Sequence, residues 1–519
     1  MGAGPAIVSS GTAAYTHLLD TKPWYKNTRL LVLNFWIAIM QTADNHAGSM
    51  MNGLQSLTQW NQAFDYPTGG KLGLLNAIQN IGSLCGYPFA PYMADNMGRR
   101  FSILFGASLM IAATAIQTAS QSVQMFIGAR FLIGFGLTFA ASAAPLLVTE
   151  VAYPSHRGQA TSMYNTLWYL GSIIAAWTTY GTFRIPSSWA WRVPSALQGL
   201  PSVIQVFLIW FVPESPRWLV SHGKEDKALQ ILAYYHANGN EQDPLVEYEF
   251  EEIKAAIAFD REVAANVGWL SLVKNPGNRK RMRIIIALAI FSQWSGNGLC
   301  TLYTLYTLHS PTIQNGLLNI FNFIVAIGAG FCCDRAGRRP LFLTSCVGMI
   351  VFWTAQTICF SIDQQTGSLA SGHAVIVFIF LFYGFCKPLT ENLAFTPLIV
   401  SYTVEILPYA IRAKGFIVFN FVLSLSLIFN QYVNPIALNA LQWKYYLVYL
   451  FWQCFELVFC YIFIVETKNR TLEETAALFE GEEGLKQIAD QAAIHAGLVH
   501  RADEIEEKET KSESEVATN

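Results

Sequence analysis

Residues 95–100 read Asp95-Asn96-Met97-Gly98-Arg99-Arg100, and residues 334–339 read Asp334-Arg335-Ala336-Gly337-Arg338-Arg339. Each block follows a long apolar run. The likeness continues outward from both. An apolar run closes at Glu150 and Arg157 follows seven residues on; another closes at Glu405 and Arg412 follows at the same spacing. A third leads into Pro213-Glu214-Ser215-Pro216-Arg217-Trp218, and a fourth into Val465-Glu466-Thr467-Lys468. Three charged motifs thus recur in the same order in two halves of one chain, which points to a duplicated unit.

The runs between the motifs are long enough to cross a bilayer. A helix rises 1.5 Å per residue, so roughly 20 apolar residues span a hydrocarbon core. By that ruler the spans fall at 30–50, 72–94, 101–120, 126–149, 160–181 and 192–212, then at 283–308, 312–333, 341–361, 373–403, 411–436 and 444–465. The expected fold is an all-α membrane protein of twelve transmembrane helices in two pseudo-symmetric six-helix bundles. Composition agrees: 53% of the 519 residues are hydrophobic and 13% charged, about half the usual charged share of a soluble domain.

Lys and Arg in the short loops gather on one side, at Lys22, Lys26, Arg29, Arg99, Arg100, Arg157, Arg335, Arg338, Arg339, Arg412, Lys414, Lys468 and Arg470. The positive-inside rule makes that side, and with it both termini, cytoplasmic. The expected organisation is a cytoplasmic segment over 1–29, a bundle over 30–212, a linker over 213–282, a second bundle over 283–466 and a tail over 467–519. The linker carries Glu- and Lys-rich stretches that read as short amphipathic helices, and the tail's acidic end reads as disordered. No short apolar core with a cleavage site opens the chain, so no cleaved signal peptide is expected.

The net charge of −2 offers no basic surface to nucleic acid. The nine cysteines lie in or beside apolar runs and read as small buried residues. A phosphate loop, zinc-ligand spacing and catalytic serine motifs are missing, so no enzyme, cofactor or metal site is expected.

The set DxxGRR, GARFLIGFG (128–136), the paired Glu-x6-Arg, PESPRW and VETK resembles the sugar porter family of the major facilitator superfamily. Within it, QWSGNG (293–298), SMMNGLQ (49–55) and TVEILPYAIRAKG (403–415) look like the fungal lactose permease and cellodextrin transporter group. The resemblance covers roughly residues 20–480. It implies the major facilitator fold, a multi-pass protein of the plasma membrane, and transport of a hexose or a disaccharide by alternating access, facilitative or proton-coupled.

A hydroxyl-rich ligand needs amides and hydroxyls facing an internal cavity. Asn76, Gln79, Asn80 and Ser83 share a face of the second span, and Asn315, Asn319 and Asn322 one of the eighth. The resemblance implies sugar-binding positions at Asn165, Gln293 and Asn322, with Asn297 and Tyr303 in and after the QWSGNG motif. Candidate substrate residues are therefore Asn165, Gln293, Asn297, Asn322, Tyr303 and Gln79. Candidate cytoplasmic gating residues are Asp95, Arg99, Arg100, Glu150, Arg157, Glu214, Arg217, Asp334, Arg338, Arg339, Glu405, Arg412 and Glu466, able to pair across helix ends as a two-state latch.

In proton-driven sugar porters an Asp of the first helix cycles its proton against an Arg of the fourth. Arg130 matches that Arg, whereas Ala47 stands at the Asp position and Asp44 lies three residues earlier. The expected pair is Asp44 with Arg130. Lys387 and Glu391 inside the tenth span are a further departure from the family pattern. The expected partners are a sugar, protons where transport is proton-coupled, and the lipid bilayer, with the chain as a monomer. A sugar-sensing homologue with little flux is the alternative; the short tail favours transport.

Overall fold

The computed structural model describes residues 51–153, 171–299, 311–330, 338–386, 402–467 and 479, apart from single positions at 52, 56, 267, 297, 367, 404, 405 and 408. Every regular element among these residues is helical. The long helices are α1 (Gly69–Gly86), α2 (Arg99–Thr118) and α3 (Val123–Val151). A helical stretch over 171–182 follows, and then α4 (Trp189–Phe211). The second half holds α5 (Pro276–Trp294), α6 (Pro311–Gly330), α7 (Arg338–Thr366), α8 (Leu369–Cys386), α9 (Tyr409–Leu441) and α10 (Lys444–Phe463). Among the described residues six helices are long and apolar enough to cross a membrane.

Their surfaces are inverted relative to a soluble protein. Phe207, Trp210, Phe451 and Tyr461 stand 64–75% exposed, which suits hydrocarbon rather than water. Polar side chains turn inward instead. Ser102 Oγ donates to Phe139 O at 3.1 Å, and Gln117 Nε2 to Gln198 Oε1 at 3.2 Å. Without a hydrophobic drive between helices in lipid, such bonds and close backbone approach hold a bundle together. Glycines permit that approach: a Cβ on Gly134 would overlap Gln79 O, one on Gly82 would overlap Phe131 O, and one on Gly106 would lie 2.6 Å from Gly136 O.

Several boundaries differ from the sequence expectation for physical reasons. The span expected at 72–94 is α1 followed, after a turn at Tyr87-Pro88-Phe89, by a short helix Ala90–Asn96. Pro88 has no amide to donate and restricts the residue before it. The span expected at 283–308 starts earlier, at Pro276, and breaks at Ser295-Gly296, where Gly296 takes φ +103° under the Trp353 ring. Of the expected 373–403 span, α8 covers 373–386 and starts earlier, at Leu369; Lys387 and Glu391 lie outside the described residues, as does the whole 30–50 span.

The stretch between the halves is helical: Pro216–Ser221, Glu225–His236, Pro244–Asn266 and Ser271–Lys274. The first two rest on the end of the first half that carries the Gly-Arg-Arg turn, and the third packs against them. Trp218 Nε1 donates to Asp95 O at 2.6 Å, and His236 Nε2 lies 3.2 Å from Val151 O. Ser271–Lys274 instead serves the second half, where Asn278 Nδ2 at the start of α5 donates to Ser271 O at 2.8 Å. On the side away from the charged turns the halves touch directly. There α1 packs along α9, Asn80 Nδ2 donates to Gln431 Oε1 at 2.5 Å, and Gly73 faces the Tyr432 backbone.

Candidate functional site

Gly98 opens the turn into α2 with φ +99°, a conformation that favours glycine. The bared N-terminus of α2 presents amides with no helical partner, and Glu214 fills the place. Its carboxylate accepts from Arg99 N at 3.1 Å, from Arg100 N at 3.2 Å and from Ser215 N at 2.9 Å. Burial pushes the Glu214 carboxyl above its ordinary 4.5, opposed by these amide bonds and by the Arg100 charge. Arg99 then reaches across its own half: Nε donates to Glu150 Oε2 at 3.2 Å, and Nη1 to Asp95 Oδ1 at 3.2 Å and Ala94 O at 2.9 Å. Arg100 Nη2 donates to Trp210 O at 3.3 Å.

The second half repeats the scheme. Glu466 accepts from Arg338 N and Arg339 N, both at 2.9 Å, and Arg339 Nη2 donates to Tyr461 O at 2.9 Å. Arg412 donates from Nε and Nη2 to Leu407 O, both at 3.2 Å. Arg217 sits half-buried in the first turn of Pro216–Ser221. Arg157, Asp334 and Glu405 lie outside the described residues.

Deeper in the first half, Arg130 is 2% exposed and donates from Nη2 to Gln79 Oε1 at 2.9 Å. Its Nε and Nη1 find no partner among the described residues, an unusual state for a buried guanidinium. Asp44, expected as its carboxylate partner, lies outside the described residues. Gln79 therefore holds Arg130, and the contact with Gly134 keeps α1 and α3 close enough for it.

In the second half, half-buried Gln293 ends α5 beside the Ser295-Gly296 break, and its carbonyl accepts from Asn430 Nδ2 at 2.8 Å. Asn430 belongs to an amide and phenol cluster that sequence reasoning missed. Asn434 Nδ2 donates to Asn430 Oδ1 at 2.6 Å, Tyr445 OH to Asn434 Oδ1 at 2.9 Å, and Tyr449 OH to Asn430 Oδ1 at 2.9 Å. The available signal was Asn430 and Asn434 four apart in an apolar helix, and so on one face. Asn322 in α6 is 1% exposed, with neither amide atom hydrogen-bonded among the described residues. Asn322 is thus buried and Gln293 half-buried. Asn165, Asn297 and Tyr303 lie outside the described residues.

Comparison with known proteins places this arrangement. The chain is 27% identical to the high-affinity glucose transporter of Kluyveromyces lactis, over 79% of this chain and 78% of that one. It is 29% identical to the arabinose-proton symporter of Bacillus subtilis, over 78% of this chain and 86% of the relative. The fold matches the inward-open xylose transporter XylE from E. coli with a TM-score of 0.72 at 22% identity, covering 87% of this chain and 100% of that one. Residues 32–479 match the family model described as sugar (and other) transporter, and the chain belongs to that family, as a multi-pass membrane protein of the major facilitator superfamily.

Proposed function

We propose that the chain is a twelve-helix secondary transporter that carries a hexose or a β-linked disaccharide such as lactose or cellobiose across the plasma membrane by alternating access, with both termini cytoplasmic. The observation that carries this reading is the matched pair of carboxylate caps, Glu214 over Arg99-Arg100 and Glu466 over Arg338-Arg339. Each cap ties the last span of a half to the turn between two earlier spans, so each half moves as a body. Two such bodies, touching through α1 and α9 on one side, have the mechanics that rocking about a central site needs.

The sugar site assigned by this reading lies among Asn165, Gln293, Asn297, Asn322, Tyr303 and Gln79. Buried amides with spare hydrogen-bonding capacity, as at Asn322, suit a ligand made of hydroxyls. Relatives named for glucose and for arabinose with protons support a monosaccharide substrate and proton coupling. In the gating role, Asp95, Arg99, Arg100, Glu150, Arg157, Glu214 and Arg217 serve the first half, and Asp334, Arg338, Arg339, Glu405, Arg412 and Glu466 the second.

Uptake of radiolabelled glucose, lactose and cellobiose in a transporter-deficient yeast, with and without a protonophore, tests the reading. Saturable uptake of one sugar is expected, lowered by the protonophore. Normal surface expression with no flux for any of the three would favour a sugar-sensing homologue.

A further inference from the structure

Glu456 lies in the middle of α10, 1% exposed, inside the apolar core of the second half. None of the charged motifs includes it. Its carboxyl oxygens stand 3.1 and 3.3 Å from Ser295 Oγ. No Arg or Lys pairs with it among the described residues: α7 presents Cys346, its own helix adds the Trp452 indole, Tyr449 and Cys460, and Arg283 of α5 stays at the far end beside the Phe463 ring. Neither α5 nor α9 adds a charged group beside it among the described residues.

Hydrogen counting favours one state. Ser295 Oγ also lies 2.5 Å from Phe291 O. A carbonyl oxygen only accepts, so the single hydroxyl hydrogen of Ser295 is committed to Phe291. The remaining contact, between Ser295 Oγ and the Glu456 carboxyl, then needs its hydrogen from Glu456. A neutral Glu456 satisfies both contacts at once, and a carboxyl without a cation beside it is expected to be neutral in an apolar core.

Ser295 is also where α5 breaks. Its carbonyl accepts from Gln453 Nε2 at 2.9 Å, and the next residue is the left-handed Gly296 under Trp353. Gln293, a proposed sugar residue, is two positions back. If the Glu456 proton leaves to solvent admitted on the charged-turn side, the Ser295 hydroxyl turns to the new carboxylate and releases Phe291 O. That alters the last turn of α5 and the position of Gln293.

We propose that Glu456 is a proton-binding site of the transport cycle, linked to the sugar through the Ser295 hydroxyl and the break after Gln293. The inference rests on the transport reading above. It gives this chain a titrating carboxyl in the second half, independent of Asp44 and of the Ala47 position.

The test uses full-length protein reconstituted in liposomes, with D-glucose as probe and lactose and cellobiose run alongside. Wild type should concentrate sugar under an inward proton gradient. Glu456→Gln should still exchange sugar across the membrane but lose accumulation, and its exchange should no longer respond to pH. Glu456→Asp should accumulate with a displaced pH profile. Accumulation and pH dependence in E456Q equal to wild type would overturn the proposal. Absence of exchange by wild type with all three sugars would instead overturn the transport reading. In that event infrared difference spectra between acidic and alkaline buffer decide Glu456 directly: a carboxylic band lost in E456Q supports the site, and an identical band in both proteins refutes it.

Discussion

Glu214 and Glu466 occupy equivalent places in the two halves: each carboxylate accepts from the backbone amides of consecutive arginines at the start of a long helix, Arg99-Arg100 for one and Arg338-Arg339 for the other. The arginine side chains matter less here than their amides. A carboxylate over a helix N-terminus meets unpaired donors and the positive end of the helix dipole together.

Glu214→Gln keeps the shape and loses the charge. One of its amide hydrogens would face the donors that Glu214 now satisfies, at a cost of about 1.5–3 kcal/mol. A sign follows for pH as well. Burial holds the folded-state carboxyl of Glu214 above its ordinary 4.5, so the folded protein keeps this proton more readily than the unfolded chain does. That contribution is complete below 4.5 and is lost as pH rises through the raised value. Thermal unfolding in detergent should show wild type losing ground to E214Q as pH climbs from 4.5 upward. A constant offset across that range would show that the carboxyl does not titrate on folding.

Arg99 and Glu150 are paired and nearly closed off from solvent, with side chains 9% and 4% exposed. Removing one partner of such a pair leaves the other stranded. Arg99 keeps Asp95 Oδ1 and Ala94 O, however, so Glu150→Gln should cost about 1.5–3 kcal/mol rather than the full penalty of an isolated buried charge. Asp95 is largely exposed, at 70% for its side chain, and Asp95→Asn should cost less than about 1 kcal/mol. Melting temperatures of the two variants in one detergent check the order; equal losses would sink it.

The sites legible in the sequence were those where charge meets an apolar run, because low dielectric makes such residues scarce and forces them to find partners. Two halves repeating the pattern made the reading redundant, and the caps by Glu214 and Glu466 are its physical content. The Asn430, Asn434, Tyr445 and Tyr449 cluster was not legible. An Asn in a lipid-surrounded helix looks the same in sequence whether it faces a cavity, a neighbouring helix or a kink, and only packing decides. Glu456 escaped for a related reason: it recurs in no motif, and its partner Ser295 is 161 residues away.

Gly128, Gly134 and Gly136 share one motif and should not tolerate a methyl equally. A Cβ on Gly134 would run into the Gln79 carbonyl, whereas one on Gly128 meets nothing within 4 Å. Gly134→Ala must force α1 from α3, at about 1–3 kcal/mol or more, and should disturb the Arg130 to Gln79 bond at 2.9 Å. Gly128→Ala should be within about 0.5 kcal/mol of wild type. Detergent thermal stability is the direct comparison, and similar melting of both variants would refute the close-approach account.

The contact between the halves gives the most direct handle on rocking. A Cβ on Gly73 in α1 would lie 2.5 Å from the Tyr432 carbonyl in α9, while one on Gly70 would stop 3.6 Å from the Tyr432 hydroxyl. Gly73→Leu therefore penalises the arrangement in which these faces are closed, and Gly70→Ala does not. Overpacking of about 1–3 kcal/mol shifts a two-state equilibrium by roughly 5–150-fold. Because the substitution disfavours one arrangement and leaves the other untouched, the cycle stalls on the opposite side. Sugar exchange by Gly73→Leu should fall by about tenfold or more, with Gly70→Ala near wild type. Asn80 faces Gln431 across the same seam, so an Asn80→Cys variant reports the opening by its rate of maleimide labelling. That rate should rise when Gly73→Leu is added. Loss of exchange without faster labelling would mean that the leucine damages the fold rather than holding the seam apart.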